Sequence, residues 1–428
     1  MIRERMRDLK LAGSLWGTRM VARTAAAFGD LVAELDRPSR QRDPYPLYDE
    51  IRERGPFYHS RLGFYATASH EVVSALVRHP DASSAVLGAA GGGATSIAAF
   101  PDHVLHPIRD SIIGMDAPDH TRLRRLVSGA FTPRALAARR EATTRIARDL
   151  VRRLPIGEEF DLVENFAVPF PTLVMADLLG VPDPDVPKLA KWGAILGEAA
   201  DGVRSVGQAA DVTEVLEEVE DFFGHLLDFR CHTPGRGLVG WLVGEGAAGD
   251  VVKSRRELLG LVELLLFAGF ETLKNFIGTS VLAFVRNPGQ LALLRADPSL
   301  AAAAVDEALR YDAPAQSTLR TVRTDVSMFG HRIKAGTPIL VLFGGANRDP
   351  AVFASPGRFD ITRRNSGDHV AFAAGPHFCL GAALARMEGE IMLRSVFSHF
   401  GSLELAGDVE WYNSFVLRGA RRMPVIGR

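Results

Sequence analysis

The most chemically pointed feature of this sequence is a cysteine framed by glycines, a histidine and an aromatic ring. In Phe372-Ala-Ala-Gly375-Pro-His377-Phe-Cys379-Leu-Gly381, Phe372, Gly375 and His377 precede the sulfur and Gly381 follows it. A strongly amphipathic stretch over 380–400 comes next, so Cys379 falls in a loop at a helix N-terminus. Backbone N–H groups and the helix dipole favour the thiolate there. Gly375 permits a tight turn ahead of the sulfur, and Gly381 lets the helix approach a flat partner without a Cβ in the way. A lone cysteine is by default a small buried hydrophobe. The frame is what makes Cys379 a ligand candidate. Cys231, the only other cysteine, has no such frame.

A second constellation, Ala268-Gly269-Phe270-Glu271-Thr272, lies inside an apolar stretch that reads as one helix over 254–286. Glycine in mid-helix costs about 1 kcal/mol relative to alanine. Thr272 can hydrogen-bond back to the carbonyl of residue 268 and bend the helix. Together they would open a groove, and an acid beside a hydroxyl can deliver protons into it. The bland reading is a kinked core helix with one solvated glutamate. Two weaker pairs accompany it. Glu307 and Arg310 stand at i, i+3, a spacing common in any protein. His120 and Arg124, at i and i+4 of a helix that Asp116 could cap, present two donors on one face.

These side chains need a helical scaffold. Apolar period-3.6 spacing runs over 46–55, 69–78, 119–130, 139–153, 212–230, 254–286, 298–311 and 380–399. Short strand-like pieces occupy 63–67, 319–329 and 338–343. The fold class is therefore mainly α, with small peripheral β-sheets. No repeat or linker appears. Gly91-Gly92-Gly93 lies in an apolar loop without the lysine of a phosphate-binding loop.

Composition narrows the classes further. The 428 residues carry 50 basic and 51 acidic side chains, a net charge of −1, which removes a whole-protein argument for nucleic-acid binding. Two cysteines supply neither a disulfide framework nor a four-sulfur metal site. Residues 258–270 are the most apolar stretch, yet Glu263 interrupts them, so no membrane span is expected. Residues 1–24 are basic, and Leu9, Leu11, Leu15, Trp16 and Met20 form a weak apolar stripe. We read residues 1–40 as a helical extension packed on its own protein. A cytoplasmic location is expected, as residues 1–24 lack the apolar run of a secretory signal.

The cysteine loop resembles the haem-binding loop of the cytochrome P450 family, usually F-G-x-G-x-H/R-x-C-x-G. Ala373 stands where the family's second-position glycine is usual. The resemblance recurs in family order from Asp43-Pro-Tyr-Pro-Leu-Tyr to the C-terminus. It implies a single large helical haem domain over 41–428, with haem b as cofactor and Cys379 as the iron's axial thiolate. It assigns His120, Arg124, Arg320 and His377 to the propionates, and Ala268, Gly269, Phe372, Gly375 and Gly381 to the haem's surroundings. Glu271 and Thr272 become the proton-delivery pair. Glu307 and Arg310 become a buried structural pair, with Arg358 of Pro356-Gly-Arg358-Phe359-Asp360 as third member. Family position places Val86, Leu87, Phe267, Ala268, Ala315, Thr318, Phe415 and Val416 around an apolar substrate.

The implied activity is monooxygenation of a hydrophobic small molecule by dioxygen, with electrons from a ferredoxin and its reductase, in a monomer. Two alternatives stay open: a peroxide-driven haem enzyme, and a haem carrier or sensor. The acid–hydroxyl pair argues against the first and is left unexplained by the second.

Overall fold

Nearly every residue from Leu259 to Phe284 is buried whichever way it points, so the helix that carries them runs through the middle of the molecule. The computed structural model describes residues 2–85, 100–101, 103–232, 237–246 and 252–428. Ten of its helices matter for the site: α1 (Ile2–Ala27), α2 (Tyr45–Glu53), α3 (Asp119–Ser128), α4 (Pro133–Val151), α5 (Pro169–Leu179), α6 (Val186–Glu198), α7 (Val206–His232), α8 (Arg255–Arg286), α9 (Ala301–Tyr311) and α10 (Ala382–His399). The central helix is α8. Ser254 caps it by accepting from the Glu257 N–H, and Asn287-Pro288 ends it. Helices α5, α6, α7, α9 and α10 surround it.

Helix α5 has no counterpart in the expected set. Eight of its eleven residues are buried, so no polar face alternates with an apolar one and no period marks it. Gly180, at φ 79°, terminates it in the left-handed region. Helix α1 lies at the N-terminal end. It buries Leu15, Ala25 and Ala26, packing on residues 31–34 and on α7.

The largest sheet has five short strands: β1 (Tyr58–His59), β2 (Tyr65–Thr67), β3 (Ala82–Ser83), β4 (Ser317–Val322) and β5 (Pro338–Leu342). Their order is β1-β2-β5-β4-β3, with β2 and β5 parallel and the other pairs antiparallel. The expected strand over 319–329 is two strands, because the chain turns at 323–325 before Val326–Met328. The sheet lies at the periphery over its own small apolar cluster of Val72, Val73, Leu76, Ile339 and Val341. No helix among the described residues is long and apolar enough to cross a membrane.

Candidate active site

The loop before α10 is shaped by two residues in the left-handed region. Gly375 sits at φ 68°, and a Cβ there would stand 2.8 Å from the Val77 carbonyl oxygen. Ala373, in place of the usual glycine, sits at φ 54°. The backbone angle is thus retained, at the steric cost of a side chain. The Cys379 N–H donates to the Phe372 carbonyl at 2.9 Å, closing the loop. Phe372 is buried beneath it, and Arg386 lies over its ring at 4.7 Å. The Cys379 sulfur belongs to an exposed residue, but the protein around it raises the thiol pKa by desolvation. The Gly381 N–H and the charges of Arg124 and Arg386 oppose that rise. Among the described residues, nothing beyond its chain neighbours lies within 4 Å of where a Gly381 Cβ would stand, so the chain beside the sulfur is kept clear.

Cations gather next to this loop. Helix α3 starts after a cis Ala117–Pro118 bond and turns His120 and Arg124 toward it. The His120 and His377 rings lie 4.2 Å apart, and Arg124 Nη2 donates to the Phe378 carbonyl. Arg320, on β4, is buried and among the described residues donates to Thr318 Oγ1 and the Leu319 carbonyl. Burial pushes its pKa down to about 10, against the pull of Asp116. Burial and the charges of His120 and Arg320 push His377 down to about 3. His120 is lowered by burial and by Arg124, and its Nε2 has no hydrogen-bond partner among the described residues. Four donors thus converge with little negative charge to answer them. A dianionic ligand beside the sulfur would supply it, so the residues fit a haem with its two propionates. Asp116 does not cap α3. Its carboxylate accepts from Ser83 Oγ and the Ser84 N–H, tying β3 to the start of the helix.

On α8 the Thr272 hydroxyl donates to the Ala268 carbonyl at 2.6 Å, the expected back-bond. Gly269 sits where α8 meets α5. Its missing Cβ would stand 2.6 Å from Met175 Sδ, so the glycine serves the close packing of α5 on α8. Glu271 is not solvated. It is 3% exposed and accepts from Lys274 Nζ at 2.6 and 2.7 Å. Burial raises its pKa, and Lys274 pulls it back. Lys274 Nζ lies 4.6 Å from the centre of the Tyr412 ring and 3.4 Å from its hydroxyl. Room for the carboxylate comes from α6, where a Cβ on Gly197 would stand 2.2 Å from its carbon. Lys274 is a site residue that motif reasoning missed. Its signal was present as opposite charges at i, i+3 inside an otherwise apolar helix.

Glu307 and Arg310 form the expected buried pair, both fully buried, with contacts of 2.7 and 2.8 Å. The third member is Arg363 and not Arg358. Arg363 Nε reaches Glu307 at 3.2 Å, whereas the Arg358 side chain is 69% exposed and lies near Asp360. Arg358 contributes its carbonyl, which accepts from Arg310 Nη2 at 3.1 Å and from Arg363 Nη2 at 3.2 Å. The Pro356-Gly-Arg turn directs that carbonyl inward and the side chain out. Ala315, Phe415 and Val416, expected around a substrate, come together: Ala315 bridges Leu417, and Ser317 Oγ donates to the Phe415 carbonyl. Thr318 adjoins the Arg320 cluster, and Phe267 is half-buried on α8. Val86 and Leu87 lie outside the described residues.

Known proteins resemble this chain along most of its length. A family model described as Cytochrome P450 matches residues 249–411. The Putative cytochrome P450 140 of Mycobacterium tuberculosis is 35% identical over 95% of this chain and 94% of its own length. The 6-deoxyerythronolide B hydroxylase of Saccharopolyspora erythraea is 35% identical over 92% of this chain and 98% of its own. Among solved structures, P450BioI in complex with hexadec-9Z-enoic acid ligated acyl carrier protein superposes with a TM-score of 0.83. It has 29% identity and covers 91% of this chain and 100% of that one. Myxobacterial CYP267B1 in complex with myristic acid gives 0.84, 31%, 92% and 99% in the same order.

Proposed function

Since the chain belongs to the cytochrome P450 family and is a haem-thiolate monooxygenase, we propose that it inserts one oxygen atom of dioxygen into an apolar small molecule, by hydroxylation or epoxidation. The observation that carries the site assignment is the convergence of His120, Arg124, Arg320 and His377 beside the Cys379 loop. In this reading the cofactor is haem b, held through its iron by Cys379 and through its propionates by those four residues. When bound, it supplies dioxygen activation driven by electron donation from the thiolate. Phe372 and the Gly375 turn hold the sulfur in place, and Gly381 leaves the face beside it open.

The chain's own share of the chemistry is positioning and proton supply. Thr272 keeps its hydroxyl on the Ala268 carbonyl until a reacting oxygen competes for it. Glu271 holds the next exchangeable proton, with Lys274 setting its charge. Ala268, Phe267, Ala315, Thr318, Phe415 and Val416, with Val86 and Leu87, make the substrate walls. Electrons come singly from a ferredoxin and ferredoxin reductase, and the enzyme works as a cytoplasmic monomer. Residues 1–40 are an extension to a haem domain over 41–428.

Neighbours carrying hexadec-9Z-enoic acid on acyl carrier protein and myristic acid make long aliphatic chains the first compounds to test. Substrate binding should convert the haem from low to high spin in a titration. The reduced protein with carbon monoxide should show the red-shifted Soret band of thiolate ligation; an ordinary haem–carbon monoxide band removes Cys379 as ligand. Turnover should require reductase and ferredoxin. Product formation with hydrogen peroxide alone at a comparable rate would favour the peroxide-driven reading.

A further inference from the structure

Ten large apolar side chains are exposed among the described residues, and four of them fall between residues 16 and 28: Trp16, Met20, Val21 and Phe28. Trp16 and Phe28 are 67% and 68% exposed. Helix α1 already buries Leu15, Ala25 and Ala26 against the protein, so it carries apolar residues on two faces and only one is covered. On the open face, Trp16, Met20 and Ala27 share a line with Arg23; Arg19 flanks it on one side and Lys10 on the other. All three cations are exposed. Residues 1–23 hold six basic and two acidic side chains, net +4 against −1 for the whole chain.

We propose that this face of α1 lies on an anionic lipid surface. Trp16 and Met20 enter the boundary between headgroups and acyl chains, with Val21 at the edge of the exposed arc and Phe28 just past the helix end, while Lys10 and Arg23 meet phosphate. An aromatic ring among aliphatics, edged by cations, is the composition such a boundary accommodates. A second copy of the chain is the poorer occupant, because a two-fold contact would set one basic helix against another.

The helix is also tied to the pocket walls. Arg19 Nη2 donates to the Arg204 carbonyl at 2.7 Å. Arg204 in turn donates to the Asn413 carbonyl, and the buried Asp201 accepts from Ser414 Oγ and the N–H groups of Phe415 and Val416. Lipid contact through α1 would therefore bring the 201–204 and 413–416 segments close to a phase where apolar molecules concentrate. That consequence rests on the substrate class proposed above; the lipid contact itself does not.

The test is flotation of the full-length haem-loaded enzyme with vesicles of phosphatidylcholine, alone or with roughly a third phosphatidylglycerol. The wild type should float with the anionic vesicles and not with the neutral ones. Trp16→Glu/Met20→Glu/Val21→Glu should lower the bound fraction at least about tenfold. Lys10→Glu/Arg23→Glu should lower anionic binding while leaving the apolar side chains in place. The carbon monoxide band of each variant reports the haem site separately. No flotation with either vesicle, or equal flotation by the wild type and the triple variant, overturns the proposal. A dimer in sedimentation equilibrium that the triple variant dissociates, without vesicle binding, overturns it in favour of self-association.

Discussion

Ala373 holds a backbone angle that suits glycine, six residues before the sulfur whose loop it shapes. Ala373→Gly should relieve a left-handed alanine and raise stability by about 0.5–1 kcal/mol, read as a higher midpoint in denaturant. Thr272 and Glu271 call for functional readouts. Thr272→Ala should leave haem incorporation intact while less product forms per NADPH and more hydrogen peroxide is released. Unchanged coupling would remove the hydroxyl from proton delivery. Lys274 stabilises the ionised form of Glu271 against its burial. Without that charge the carboxyl pKa rises further, and the neutral acid persists to higher pH. Lys274→Met should therefore shift the pH profile of coupling upward. A profile that stays put would leave Lys274 a packing role only. Tyr412 closes the far side of the pair, so Tyr412→Phe should perturb the profile less than the lysine change.

At the scale of elements, close approach between helices explains which parts of the site were legible. The pair on α3 and the back-bond on α8 could be read because both depend on residues three or four apart. The Cys379 loop could be read because a glycine-rich frame is local. What escaped reading was set by neighbours distant in sequence. Gly269 faces Met175 on α5, Glu271 fits against Gly197 on α6, and Phe270 fits against Gly193 one turn earlier. Arg363 lies 56 residues from the Glu307 it meets, and no spacing rule separates it from Arg358. Helix α5 itself was hidden because burial on all sides erases its period. The brace yields a direct comparison. Arg363→Ala uncovers one side of a buried carboxylate and should cost about 2–4 kcal/mol, whereas the exposed Arg358→Ala should stay within roughly 0.5 kcal/mol. Thermal unfolding of the two variants separates them.

For the whole molecule, two buried acids outside the proposed chemistry contribute to how stability varies with pH. Glu388 on α10 is 4% exposed, and burial pushes its pKa up to about 8. Glu263 on α8 is 2% exposed, with both carboxylate oxygens lacking hydrogen-bond partners among the described residues. Burial raises it well above the usual range, and the charges of Glu220 and Asp110 add to that while Arg256 opposes it. Each acid holds its proton longer in the folded chain than in the unfolded one. The contribution of each acid is therefore fully present below the ordinary glutamate pKa, and that of Glu388 is lost as pH rises toward about 8. Glu388→Gln should flatten that decline and be more stable than wild type by about 3 kcal/mol at pH 7. Denaturant midpoints measured across this range check it; parallel curves for both proteins would mean that the carboxyl finds a partner when ionised. The Glu307–Arg310 brace carries a different implication, for how such a sequence can diverge. Arg310 gives its remaining donors to the carbonyls of Asn347, Pro356 and Arg358, so beyond Glu307 it grips main chain. A library randomised at the exposed positions of 354–358 should return mostly folded, haem-loaded clones, while one randomised at Arg310 should return almost none.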